Sequence, residues 1–355
     1  MPTVRDIAEA TGVSPSTVSR ALNNSPSVTE STRQRVLSAA IAAGWRETEA
    51  APAPTPIGVI FAGEASETSH FDGAFLMGLV SQLDEFDMQL VVMNGRQLKR
   101  EHTGSLTQML EQRGVRGLVV RTNEHSRTAS RLLSGLSLPV VVAADRTELP
   151  DMESIYSDSG PASREAIEHL ISLGHTKVAV IVGRATTTDH TDRIDAYRAA
   201  MRAHGLEPGE RFLMHTPTSV IGGKSALLRL IAMPDRPTAA FVLDPVVSVG
   251  MLTAAQENSV RVPGDLSLVG FDDTHLRTLT YPQMTAVCQD TRALARRCLS
   301  RLHELIAGPE HASHDGPAAR LQTWFEVHGT SGSAPGHERT GETVSTMDQR
   351  LRADQ

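Results

Sequence analysis

Apolar and polar positions follow two rhythms along this chain. Over residues 4–43 the apolar positions recur at helical spacing. Ile7, Ala8 and Ala10 share the inner side of a first short helix, and Val18 and Leu22, four apart, face inward with Val13 in a second. Gly12 lies between them, where a sharp turn is easiest without a Cβ. Ser14 is an N-cap residue type, and Pro15 after it fits the first helical position, where a missing N–H costs nothing. A polar loop follows. Thr29 then reads as the cap of a third helix, with Glu30 near its positive end and Gly44 closing it. Residues 47–56 are rich in Pro and Ala and read as a linker.

From residue 57 the rhythm changes to short apolar runs alternating with helices. Strands are expected at 57–61, 88–93, 117–120 and 139–143, with an edge strand from Ile155. Helices are expected at 75–83 and 107–113. The alternation then repeats: helices at 161–173, 192–204, 225–232 and 247–257, with strands at 178–182, 238–243 and 266–270. Such alternation means parallel, doubly wound sheets with right-handed crossovers. Two similar halves read as a two-lobed clamp. A last helix at 292–307 and a last strand at 321–327 follow, and the polar, charged stretch 330–355 is expected to be disordered.

The head is more specific than its periodicity. Asp6-Ile7-Ala8, Gly12-Val13-Ser14, Thr17-Val18-Ser19-Arg20, Leu22-Asn23, Thr32-Arg33 and Arg35-Val36-Leu37 make residues 1–46 closely resemble the DNA-binding domain of the lactose-repressor (LacI/GalR) family. The resemblance continues to about residue 329. It is carried there by Asp145-Arg146, Asp158, His169-Leu170-Ile171-Ser172-Leu173-Gly174-His175, Asp192-Arg193 with Tyr197-Arg198-Ala199, Arg236-Pro237-Thr238, Val262-Pro263-Gly264-Asp265-Leu266-Ser267, Gly270-Phe271-Asp272-Asp273 and residues 282–289. It implies an all-α helix-turn-helix head followed by an α/β two-lobed periplasmic-binding-protein-like effector domain. The expected division is 1–46 head, 47–56 hinge, 57–158 plus about 289–315 first lobe, 159–288 plus about 316–329 second lobe, and 330–355 tail. The place of the 292–307 helix back on the first lobe comes from the resemblance. So does a hinge helix that wedges a Leu into the minor groove. This chain has no Leu there, and Pro52, Pro54 and Pro56 disfavour that helix.

Charge and cysteine content narrow the partners. The chain of 355 residues has a net charge of −7, so it does not coat nucleic acid along its whole surface. Arg5, Arg20, Arg33, Arg35 and Arg46 against Asp6, Glu9 and Glu30 leave residues 1–46 at +2. Tight binding then needs two heads, hence a homodimer on a pseudo-palindromic double-stranded operator. Cys288 and Cys298 fit no metal-ligand pattern, and no apolar run reaches the ~20 residues of a membrane span. With no signal peptide in the polar N-terminus, a cytoplasmic protein without membrane contact is expected.

The outer face of the second helix carries Pro15, Ser16, Ser19 and Arg20. Short hydroxyls suit phosphates, and a guanidinium suits the N7/O6 edge of guanine. The expected DNA contacts are Thr3, Ser14, Pro15, Ser16, Thr17, Ser19, Arg20, Asn23 and Thr29. Ligands of open α/β sheets bind beyond the carboxyl ends of strands. By resemblance, Arg193 and Asp272 grip the effector, and Phe71 and Asp72 match a paired position that often contacts it. Arg146 and Asp244 follow strands and complete the expected effector set. Each has a plainer reading: Arg193 as a helix-start arginine, Asp272-Asp273 as a turn cap, Arg146 as an interlobe salt bridge. A sugar is the family default, yet Asp244-Pro245 stands where the family often has Asn-Asp, and aromatic content is only 4%, which leaves few stacking platforms.

Other chemistry is not supported. Gly222-Gly223-Lys224-Ser225 has Thr218 where a phosphate loop needs its first Gly. Asp189, His190 and Asp192 on a loop, or His311 and His314, lack a complete metal-ligand set. No nucleophile–base set can be argued, so neither an enzyme nor a cofactor is expected. The function implied is an effector-controlled, sequence-specific transcriptional repressor. A transport solute-binding protein and an effector-independent regulator are the alternatives.

Overall fold

The structure is a computed structural model that describes residues 3–22, 25, 27–43, 53–62, 70–94, 103–122, 133, 135–146, 152–183, 187–308 and 320–337. Asn23, Gly44, most of the hinge, His311, His314 and residues 338–355 lie outside the described residues. The chain divides into two compact units, 1–54 and 55–355.

The first unit is all-α: α1 (Val4–Thr11), α2 (Pro15–Leu22) and α3 (Glu30–Ala42). Its core is Ile7, Ala8, Val18, Ala21, Val28, Val36 and Ala40, with Val13 and Leu22 packed against it. Ala10, expected inside, is exposed. Two residues past Ala8, it lies about 200° around α1 from that residue, off the buried face.

The second unit contains two six-stranded sheets. The strands of the first are β1 (Thr55–Ala62), β2 (Met88–Asn94), β3 (Leu118–Thr122), β4 (Val140–Ala143), β5 (Glu153–Asp158) and β11 (Arg320–Gln322), in the order β11-β5-β4-β3-β1-β2. The second holds β6 (Val178–Gly183), β7 (Leu213–Thr216), β8 (Ala239–Val242), β9 (Ser267–Asp272), β10 (Thr285–Cys288) and β12 (Trp324–Glu326), in the order β12-β10-β9-β8-β6-β7. All pairings are parallel except β10 with β12. Both faces of each sheet bury apolar clusters, as a sheet covered by helices on two sides requires. The helices are α4 (His70–Val80), α5 (Thr103–Gln112), α6 (Gly160–Ser172), α7 (Thr188–Ala203), α8 (Val220–Ile231), α9 (Pro245–Glu257) and α10 (Thr291–Ala307). α10 packs on α4 and on β3, β4 and β5, so it returns to the first lobe.

Several expectations change. The strand read at 321–327 is two strands: β11 pairs with β5 in one lobe and β12 with β10 in the other. Thr323 stands at the break, its hydroxyl donating to the Asp158 carbonyl at 2.9 Å. β5 is therefore flanked on both sides and is not an edge. β1 begins at Thr55, inside the stretch read as linker, because Thr55 N–H and the Pro56 carbonyl pair with Asp87 and Arg116 at 2.8 and 2.9 Å. Residues 330–337 are ordered against the second lobe, although the sequence suggested disorder. Leu268 N–H donates to the Thr330 carbonyl at 2.7 Å, the Thr330 hydroxyl donates to Leu268 at 2.6 Å, and Ala334 N–H reaches Leu173 at 2.8 Å. Backbone pairing, which composition does not reveal, orders a segment with little apolar content.

Gly222 and Gly223 lie inside α8, not in a loop. A Cβ on Gly223 would collide with the Val247 carbonyl and Gly250 of α9, so Gly223 and Gly250 let two helix backbones approach closely, while a Cβ on Gly222 would strike the Pro217 carbonyl before the helix. Ser219 caps α8 by accepting from Gly222 N–H at 3.0 Å. The phosphate-loop-like tetrapeptide is thus a packing device.

Candidate nucleic-acid interface and ligand cavity

In the head, Thr3 and Asp6 form a capping box. Thr3 N–H donates to the Asp6 carboxylate at 2.7 Å, and Asp6 N–H donates to the Thr3 hydroxyl at 3.3 Å. The first of these bonds holds the exposed Asp6 carboxyl below its usual range. Gly12 adopts φ 68°, the left-handed turn that a glycine takes at least cost. Ser14 caps α2, accepting from Thr17 N–H at 3.2 Å, and its hydroxyl meets those of Ser16 and Thr17 at 2.9 and 2.8 Å. Thr3, Ser14, Pro15, Ser16, Ser19, Arg20 and Thr29 are exposed, and Thr17 is half-buried. The Arg20 guanidinium folds back along α2, donating to the Ser16 carbonyl at 3.2 Å and to its hydroxyl at 3.4 Å. Those long, exposed bonds are readily exchanged for base or phosphate contacts. Thr29 precedes α3 without capping it through its side chain; its hydroxyl donates to Thr32 at 2.9 Å.

In the second unit a cavity of about 110 Å³ lies between the lobes, lined by Phe71, Arg121, Ala144 and Ser157 from the first lobe and by Thr187, Asp189, His190, Arg193, Leu243, Asp244, Pro245 and Asp273 from the second, with Gln289. These residues sit at or just past the carboxyl ends of strands, or at the start of the helix that follows, where the doubly wound rule puts ligands.

Phe71 stacks with Phe75 at 5.9 Å, and Arg121 lies over its ring at 4.7 Å. Asp72 is outside the lining and faces Arg121 Nε at 3.3 Å. Arg193 is 4% exposed. Its Nη1 donates to the Leu243 carbonyl at 3.0 Å, its Nε to the Ser159 hydroxyl at 3.3 Å, and its Nη2 pairs with Asp189. Its guanidinium lies 3.3 Å from the centre of the Phe271 ring. Arg193 does not start α7. That helix begins at Thr188 behind a capping box of Thr187 and His190, so Asp189 is one turn before Arg193. A histidine in the place usually held by Glu or Gln hid this start.

Asp244 caps α9, accepting from Val246 and Val247 N–H at 3.0 and 3.2 Å, and burial raises its carboxyl above the ordinary range. Asp272 is displaced from the expected role. Its carboxylate accepts from Thr274 and Leu276 N–H at 3.2 and 3.0 Å and from Arg277 Nη1 at 2.8 Å, and it does not line the cavity. Asp273, the next residue, lines it instead. Burial, then the charges of Asp244 and Asp272, push its carboxyl up to about 7. Arg146 stands beside the cavity and bridges the lobes. Its guanidinium donates to both oxygens of Asp192 at 2.5 and 2.7 Å, while Asp145 accepts from Thr188. Burial, with Arg193 and Arg121 near, drives His190 down to about 3, so it is neutral. Asp273, Ser157 and Gln289 line the cavity without having been among the expected effector residues; their positions directly at strand ends were the available signal.

Among the described residues no group of three or more His, Cys, Asp or Glu side chains is placed to hold a metal ion, and no helix is long and apolar enough to cross a membrane. Asp189 and Asp192 are each engaged by an arginine.

Two family models match: "Bacterial regulatory proteins, lacI family" over residues 3–46 and "Periplasmic binding protein-like domain" over residues 167–321. The HTH-type transcriptional regulator DegA of Bacillus subtilis (strain 168) is 29% identical over 297 residues, covering 82% of this chain and 88% of DegA. Among solved structures, the transcriptional regulator CelR–cellobiose complex aligns with a TM-score of 0.67 at 24% identity, covering 93% of this chain and 100% of that one. The lac repressor dimer bound to operator and the anti-inducer ONPF aligns with a TM-score of 0.67 at 22% identity, covering 94% and 99%.

Proposed function

The chain belongs to the LacI family of bacterial regulatory proteins, and from that membership we propose the following function. The protein is a sequence-specific DNA-binding transcriptional regulator, not an enzyme. It acts in the cytoplasm as a repressor. Its heads work in pairs on a pseudo-palindromic operator, and a small metabolite held between the lobes shifts its affinity for DNA by favouring one lobe arrangement over another. The observation that carries this reading is the helix-turn-helix head, capped at Thr3 and Ser14, with Arg20 on its exposed face. A transport protein has no use for such a head. Selection of genomic fragments by the purified protein tests the proposal: recovery of a shared two-fold-symmetric sequence supports it, and indifferent recovery of all fragments rejects it.

Arg20 is the residue proposed to read a base. Arg20→Ala should weaken binding to the selected operator by about 1–3 kcal/mol and leave binding to random DNA nearly unchanged. Fluorescence anisotropy on both DNAs checks this; equal loss on the two would show a phosphate contact only.

A second copy has a surface to cover. Leu279 and Tyr281 are 80% and 99% exposed. Beside them an open groove of about 390 Å³ is lined by Leu252, Ala255, Gln256, Val260, Val262, Tyr281 and Pro282. Exposed aromatic and aliphatic side chains beside a groove are the usual anchors of a subunit contact. Tyr281→Asp should raise the dimer dissociation constant at least about tenfold, roughly 1.4 kcal/mol, in sedimentation equilibrium. An unchanged constant would move the dimer contact elsewhere.

A further inference from the structure

We propose that the effector is a small amine-bearing metabolite, such as an amino sugar or amino alcohol, whose ammonium group is held by Asp244 and Asp273. This rests on the reading of the interlobe cavity as the effector site and adds the ligand's charge. Both arginines of the lining already face carboxylates: Arg121 meets Asp72 at 3.3 Å, and Arg193 pairs with Asp189. Among the described residues neither Asp244 nor Asp273 forms an ion pair, and both border the cavity. His190 supplies no charge, since burial keeps it neutral and its Nδ1 meets the Thr187 hydroxyl at 3.0 Å.

Asp273 gives an independent sign of an incomplete site. Its Oδ1 is enclosed and has no hydrogen-bond partner among the described residues. A buried acceptor left unpaired is costly, and a carboxylate beside other carboxylates is costlier still. Burial and the two neighbouring aspartates hold its proton up to about 7, against the opposing pull of Arg193, whose guanidinium is paired with Asp189. A ligand ammonium supplies the donor and the charge together. Such charge-assisted bonds are about twice as strong as those from a neutral hydroxyl. A sugar held by stacking fits less well, because the Phe71 ring already contacts Phe75 and Arg121. Asp244, followed by Pro245, puts an acid at this wall.

The test is a thermal-shift and calorimetric panel at pH 8 on the full chain. Matched probes differ only in charge: D-glucosamine and D-galactosamine, D-glucose and D-galactose, D-gluconate and D-galactonate, with ethanolamine and ethylene glycol as the smallest pair. The expected result is a rise in melting temperature with amines, at least tenfold weaker binding of the neutral partner, and none of the acid. Asp273→Asn, once its own unfolding transition has been recorded, should weaken the amine at least tenfold and narrow the gap between amine and neutral probe. A neutral or anionic probe that binds as tightly as its amine, in parent and variant alike, overturns the amine proposal and keeps the cavity as effector site. Binding by no probe of any charge overturns both.

Discussion

Replacing Arg193 by alanine should cost the two-lobed unit about 3–5 kcal/mol, measured as the shift in its urea unfolding midpoint. Breaking a buried ion pair leaves the other charge behind, and that is where the cost lies. Arg193 is 4% exposed, its Nη1 satisfies the Leu243 carbonyl, and its guanidinium covers the Phe271 ring at 3.3 Å. Its removal strands the Asp189 carboxylate, whose remaining side-chain partner among the described residues is the Ser159 hydroxyl. Arg193→Lys should recover part of the loss, since an ammonium can meet Asp189 but cannot also reach Leu243 and Ser159 in one plane. A loss below about 1 kcal/mol would mean that the site relaxes or takes up water, and that Arg193 is a contact residue alone. From sequence, Arg193 reads as an effector contact or a helix-start arginine. The structure makes it a strut between α7, β8 and β9 as well as a wall of the cavity.

That difference shows what the sequence could carry. The fold was legible because it rests on long-range periodicity: apolar runs such as 178–182 and 238–243 are continuous, as strands buried on both faces must be. The head was legible because turn, cap and core residues repeat a tight local code: Gly12, Ser14 and Val18 each do what their chemistry suggests. The site was legible only by position. Strand ends locate the cavity, but which of two adjacent aspartates faces it depends on a turn. Asp272 is turned back by three N–H groups and Arg277, and Asp273 is thereby left at the wall. Nothing in the pair Asp272-Asp273 states that order. Arg146 was ambiguous for a similar reason: a guanidinium after a strand can serve ligand or protein, and only the register of α7 brings Asp192 within 2.5 Å. Order in residues 330–337 was hidden because it comes from backbone pairing with β9 and α6, which polar composition does not report.

Asp273→Asn should make the ligand-free protein more stable above neutral pH, by about 1–3 kcal/mol, and hardly change it near pH 4. The sign follows from the direction of the shift. The Asp273 carboxyl is raised from 3.8 in the unfolded chain to about 7 in the fold. Between those values the folded protein holds a proton that the unfolded chain has lost, so stability falls as pH rises through that window, and the full penalty is present above 7. An undiscounted shift of about three units is worth about 4 kcal/mol; water in the cavity screens part of it. Asparagine keeps the shape and never ionises, so it removes the fall. Several other groups face or influence this one. Asp244, also raised, acts in the same direction; Arg193 opposes it; Asp272 is tied to Arg277; His190 titrates near 3, at the foot of the window. Elsewhere His169 and His175 are pulled below their ordinary range by burial, and Glu326 is held at about 2 by Arg277. Parent and variant share all of these, so they cancel in the difference between the two proteins. Urea unfolding of both from pH 4.5 to 8.5 checks the result. The variant's advantage should grow through pH 5–7 and then level off. A difference that stays constant across the range would mean that Asp273 ionises normally, and that its wall of the cavity is open to water.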